Sequence, residues 1–137
     1  MPVKIEWLVE GRVIFVHAAG EFTSTELKTM DDRIIQLLDS STWKRVHVLS
    51  STGDLTSIPD LETLRTLQYF RHPRLGWTVA CGFTSLFRRH STHLIGRALN
   101  LRFRLVKTLE EGAHSLNYVE KDLPDLWALL EGENQTT

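Results

Sequence analysis

The sequence predicts an α/β fold built on a mixed β-sheet of about five strands, with helices packed on the sheet. Three observations carry this. Two strand-like runs at the start are joined by the tight turn Glu10-Gly11, apolar strand-length runs then alternate with helix-length segments, and two helix starts are written as capping boxes. Helix-length crossovers force parallel pairing after an opening antiparallel hairpin. The expected order is β-β-α-β-α-β-α-β-α, in one domain over residues 1-131 with a frayed tail at 132-137.

VKIEWLVE alternates Val3, Ile5, Trp7 and Val9 against Lys4, Glu6 and Glu10, the pattern of a half-exposed strand, whereas RVIFVHAAG is apolar on both faces, as a central strand requires. Thr23 and Glu26 form a capping box, Phe22 staples onto Leu27, and Leu27, Met30, Ile34, Leu37 and Leu38 make the buried stripe of the first helix. A third strand is predicted from Lys44 to Leu49, with Val46 and Val48 inward. The small polar run that follows it, starting at Ser50, reads as turn and cap chemistry.

Pro59 opens a second helix through Leu61, Leu64 and Leu67, closed by His72-Pro73. LGWTVAC, from Leu75 to Cys81, is the fourth strand. Thr84 caps a third helix running to about Leu99, and LRFRLV is the fifth strand. Thr108 and Glu111 form the second capping box and open a fourth helix through Leu116 and Val119; Pro124 starts a short last one, DLWALL. Trp127, Leu126, Leu129 and Leu130 there pack back on the domain or, in a homodimer, against a second copy, with docking on the chain itself favoured because short terminal helices persist when docked.

A chain of 137 residues buries roughly two-thirds of the surface it exposes unfolded. One core therefore suffices without staples. The single cysteine, Cys81, forms no internal disulfide, and MPVKIEWLVEG carries no apolar run of signal-peptide length, so a reducing cytoplasm is the expected compartment. No window approaches the roughly eighteen apolar residues that span a bilayer. The net charge is -1, yet residues 65 to 107 hold nine Lys/Arg and no Asp or Glu, between two acidic flanks. Such asymmetry bears on association and steering.

Over residues 3 to 120, the opening hairpin, the phrase HPRLGWTVACG and the closing RFRLVKTLEEGAHSL resemble the STAS fold of the SpoIIAA-type anti-sigma-factor antagonists and of sulfate-transporter cytoplasmic domains. They resemble more narrowly the SpoIIAA-like proteins grouped with lipid-carrier domains. In the antagonists, a serine in an Asp-Ser-Ser/Thr-Gly motif at the start of the second helix is phosphorylated by a partner kinase. The matching place here holds Thr56-Ser57-Ile58-Pro59-Asp60, so the motif is absent, and Ser57, then Thr56, is the phosphoacceptor the resemblance implies. A helix N-terminus favours a phosphate there, and the same position is an ordinary N-cap.

Among other chemistry-bearing residues, Cys81 ends a strand before a helix, a place where nucleophiles occur, but the residues Gly82 to Phe87 separate it from Arg88, one too many for the phosphate loop of cysteine phosphatases. A buried, unreactive thiol is the simpler reading. His90 and His93 are one turn apart and His72 can join them, but arginines crowd them and no carboxylate completes a set, so no metal is expected. His17, His47 and His114 stand alone in their elements as structural histidines.

Arg88, Arg89, His93 and Arg97 on the third helix, with Arg102 and Arg104 on one face of the next strand, form a candidate partner- or anion-binding surface, or a solvated face balanced by the acidic ends. An anionic lipid head group, a small anionic ligand and an acidic protein patch all fit it. Nucleic acid does not, since the pI is about 6.6 and no aromatic residues interleave with the basic ones. With no acid-base pair or triad in view, the expected function is a non-enzymatic regulatory or scaffold module. It needs no cofactor and binds a protein partner through the region from Thr52 to Asp60. The alternative is a carrier or sensor of a small anionic or amphipathic, lipid-like ligand.

Overall fold

A computed structural model describes residues 3–21, 23–55, 66–82 and 102–135. Five strands form one mixed sheet in the order β1-β2-β3-β4-β5: β1 (Val3–Val9), β2 (Val13–Gly20), β3 (Val46–Leu55), β4 (Leu75–Cys81) and β5 (Phe103–Val106). β1 and β2 pair antiparallel, and the pairs β2-β3, β3-β4 and β4-β5 are parallel. The opening hairpin and the parallel remainder match the expectation from connection lengths. Helix α1 (Ser24–Ser40) links β2 to β3, while α2 (Leu109–Val119) and α3 (Leu126–Gln135) follow β5.

The alternation along each strand divides the core into two layers. Ile14, Val16, Val46 and Val48 meet Leu27, Met30, Ile34, Leu37 and Leu38 of α1, together with Leu67 and Tyr69. Val13, Phe15, Leu49, Val79 and Cys81 meet Ala113 and Leu116 of α2, Leu123, and Leu126 and Leu130 of α3. Each fully buried aliphatic side chain contributes about 1.5–3 kcal/mol. α3 therefore docks on its own sheet through Leu126 and Leu130, and leaves Leu129 exposed. Among the described residues, no helix is long and apolar enough to cross a membrane.

Both predicted helix starts are capped. Thr23 Oγ1 accepts from the Glu26 N–H at 3.2 Å to start α1. Thr108 Oγ1 accepts from the Glu111 N–H at 3.1 Å, and Glu111 Oε2 accepts from the N–H of Lys107, the residue before the cap, at 3.3 Å.

Several elements depart from the sequence-based expectation. β3 does not stop at Leu49 but continues to Leu55, because Ser50 and Ser51 still pair with both neighbours and Ala19↔Asp54 and Gly20↔Leu55 extend the ladder with β2 past a bulge. Hydroxyl side chains there did not prevent a ladder that the backbone could complete. β5 begins at Phe103, although the Arg102 carbonyl still accepts from the Thr78 N–H at 2.9 Å. α3 starts after Pro124: Asp125 is its cap, with Oδ1 accepting from the Ala128 N–H at 3.3 Å, and the helix runs on to Gln135 rather than ending at Leu130. The described order closes on two helices, the fourth and the last that the capping box and Pro124 indicate, where the expected element order ends on one. A 3₁₀ turn, Tyr69–Arg71, lies just before His72. The second helix, expected through Leu67 to His72-Pro73, is not formed at that end: Thr66 to Gln68 are not helical, and only the 3₁₀ turn precedes His72. Its start at 59–65, like the third helix, lies outside the described residues.

Asp31 is the least expected support. It sits on α1, is 5% exposed, and takes the Gln68 N–H at 3.0 and 2.9 Å on its two oxygens and the Tyr69 N–H at 2.9 Å on Oδ1. A carboxylate distant in sequence thereby caps the 3₁₀ turn, whose first amides have no partner of their own. Asp31→Ala should lower stability by about 2 kcal/mol in urea unfolding by leaving buried amides unpaired, with Asp31→Asn costing less because one oxygen remains.

Candidate functional site

The parallel strands β2, β3, β4 and β5 end together on one side of the sheet. There, among the described residues, the last pairing of β3 with β4 is Ser51↔Cys81, while its pairing with β2 resumes, past a bulge, at Asp54 and Leu55. Open α/β sheets bind ligands and partners at the carboxyl ends of their strands. Thr52 fixes this junction, since its hydroxyl donates to the Cys81 carbonyl at 2.8 Å. The Gly82 N–H then donates to the Val106 carbonyl at 3.2 Å.

Cys81 itself lies under α2. A Cβ on Gly112 would sit 2.4 Å from Cys81 Sγ and 3.0 Å from Leu49 Cδ1, so only glycine lets the helix approach this closely. Burial pushes the thiol up to about 12, and the charge of Glu111 adds in the same direction. At neutral pH the group is a protonated, packed side chain, not a nucleophile. The N-terminus of α2 next to it is filled by its own Thr108–Glu111 box.

The residues singled out in the sequence are only partly gathered here. Thr56, Ser57, Arg88, Arg89, His93 and Arg97 lie outside the described residues, as do His90 and the Phe22 staple. Arg102 is exposed just before β5. Arg104 donates to Ser115 Oγ at 2.7 Å and lies over Trp77, 5.6 Å from the ring centroid, so its guanidinium binds β5 to α2 and β4. His72 is engaged as well: Nε2–H donates to Asp39 Oδ1 at 2.7 Å and Nδ1 accepts from the Arg74 N–H at 3.1 Å. Arg74 Nη1 in turn donates to the Ser41 carbonyl. Among the described residues, no three His, Cys, Asp or Glu converge to hold a metal ion.

At the opposite, amino end of the parallel strands is a polar cluster that sequence reasoning did not assemble. His47, 2% exposed, accepts the Trp77 N–H on Nδ1 at 2.9 Å, which leaves the proton on Nε2, where it is donated to Glu120 Oε1 at 3.2 Å. Gly76 makes room, for a Cβ there would lie 2.5 Å from Nδ1. Arg12 Nη2 is 3.9 Å from Glu120 Oε2 and donates to Asp122 Oδ1 at 3.0 Å, and its guanidinium lies 4.3 Å from the Trp43 ring centroid. The Arg12 hydrogen bond holds the Asp122 carboxyl below its ordinary range. Asn117 completes the clasp by accepting from the Leu126 N–H at 3.0 Å and donating to the Pro124 carbonyl at 2.8 Å. The only trace of this in the sequence is the strand phase that sets His47 on the same face as Leu49; contacts such as Arg12 with Asp122 leave no local pattern.

No protein-family model matches the chain, and no curated protein matches it.

Two outcomes are expected. Thiol reagents should label native Cys81 only at the rate at which the fold opens, and fully once it is denatured; this is read by absorbance with and without urea. Burial lowers the pKa of His47 from 6.5, partly opposed by Glu120. The unfolded chain thus binds the extra proton first, and stability that is complete above about pH 6.5 should fall as the pH drops below it. His47→Gln should be less stable at neutral pH yet flatter across that window in thermal unfolding.

Proposed function

We propose that the chain is a non-enzymatic regulatory or scaffold module of the STAS-like, SpoIIAA-like type, which works in the cytoplasm by binding a protein partner at the carboxyl end of β2 and β3. The observation that carries this reading is the extension of β3 beyond β4. Past a bulge at Thr52 and Gly53, Asp54 and Leu55 are paired with β2 and, among the described residues, not with β4, at the end of the sheet where α/β folds place their sites. Small polar side chains, Ser50, Ser51 and Thr52, lead into it. The same element continues towards Thr56 and Ser57, where the antagonist resemblance puts a phosphoacceptor. Cys81, the one thiol at this end, is packed and protonated, which supports binding over chemistry. Arg104, committed to Ser115 and Trp77, gives the anionic-ligand reading less support than the extension of β3 gives this one.

The test is a photo-crosslinking amino acid at Glu21, exposed at the end of β2, against the same group at Glu10, exposed in the turn at the other end. In native cytosol, Glu21 should give a discrete protein adduct and Glu10 none. No adduct at Glu21, or equal adducts at both positions, would refute the reading.

A further inference from the structure

β1 is an edge strand, and among the described residues no strand pairs with its outer side. The direction of its free backbone groups follows from one hydrogen bond. The His47 N–H donates to the Arg12 carbonyl at 2.9 Å, so Arg12 and every second residue after it, Ile14 and Val16, turn their backbone groups towards β3. Phe15 and His17 then turn theirs towards β1, where their partners are Glu6 and Lys4. Lys4 and Glu6 thus use their N–H and C=O groups on β2. Those of Val3, Ile5 and Trp7 point outward, away from the sheet.

We infer that this edge is a homodimer interface, in which two copies pair their β1 strands antiparallel about a two-fold axis through Ile5. In that register Ile5 faces Ile5 and Val3 faces Trp7, all with outward backbone groups, so each of these pairs exchanges two ladder hydrogen bonds. Lys4 faces Glu6 of the other copy, in both directions, at the non-hydrogen-bonded positions where Cα atoms approach to about 4.5 Å. Opposite charges facing there are favourable and like charges are not.

Neighbouring registers fail on charge. An axis moved to Lys4 or to Glu6 sets like charges directly against each other at the close, non-hydrogen-bonded position. A lysine on an edge strand ordinarily deters pairing; here Glu6 answers it in one register alone. The side chains agree as well. Val3, Ile5 and Trp7 are only half-buried against the α1 layer, and pairing extends that apolar layer across the axis. Lys4 and Glu6, 59% and 36% exposed and 3.2 Å apart within the strand, become half of an alternating set of four charges. The edge is complementary to itself, which selects a second copy over an unrelated strand.

Sedimentation of the full chain from about 1 µM to about 1 mM measures the equilibrium directly. The wild type should dimerise within this range. Lys4→Glu should weaken the dimer about tenfold or more, and the double variant Lys4→Glu/Glu6→Lys should restore it, because the facing charges are again opposite. Ile5→Pro should be monomeric while its circular dichroism stays native, since the amide it removes points away from β2. A wild type monomeric throughout, a Lys4→Glu dimer as tight as wild type, or a double variant that stays monomeric would each overturn the proposal.

Discussion

The burial of β2 and β3 on both faces is the constraint from which the rest of the architecture follows. Val13, Ile14, Val16 and the neighbouring Phe15 are buried one after another, and Val46, Val48 and Leu49 repeat this on the next strand. Strands so apolar need a paired neighbour on each side and a cover on each face. The hairpin partner β1 and the parallel strand β4 supply the first, α1 and the α2–α3 pair the second. His47 is the polar member of that buried run, near the start of β3. It is tolerated because both ring nitrogens are used, on Trp77 and Glu120.

Local signals made much of this fold legible. The period-two start, the apolar second strand, the stripe of α1 and the Thr108–Glu111 box all act over a few residues, and each appears where the pattern put it. What stayed hidden depends on residues far apart in the chain. Ser50 to Leu55 looks like a loop by composition and is a strand because β2 offers it a ladder, a case of tertiary pairing overriding propensity. Asp31 caps a turn at Gln68 and Tyr69, and Asn117 and Asp125 share the start of α3, which composition assigned to Pro124. Of the candidate site, its position at the end of β3 was legible and the extra length of that strand was not. For Arg104 the sequence shows the charge but not the Trp77 ring beneath it.

The two ends of the sheet are built differently. The amino end is tied by ion pairs and hydrogen bonds that span the chain, Arg12 to Asp122 and His47 to Glu120, with Trp43 stacked beneath Arg12. These contacts fasten the hairpin, the start of β3 and the end of α2 to one another. At the carboxyl end, Thr52 is held to Cys81 and Gly82 to Val106, and α2 opens on its own box. On the proposed reading, the fixed amino end keeps the strand ends in place for a partner, which lowers the entropic cost of binding.

Dimerisation through β1 sets the relation between two such ends. β1 runs antiparallel to β2, and in the inferred pairing it also runs antiparallel to its own copy. The two β2 strands are then antiparallel to each other, so the carboxyl ends of β2 and β3 point out of opposite ends of the joined sheet. On the proposed reading, such a dimer would hold two partner molecules at once, one at each end. A single compact partner could not reach both, so the dimer would gain no avidity for it. The arrangement suits a bridge between two partners, and the Lys4–Glu6 register that builds it lies a whole strand away from the surface that would hold them.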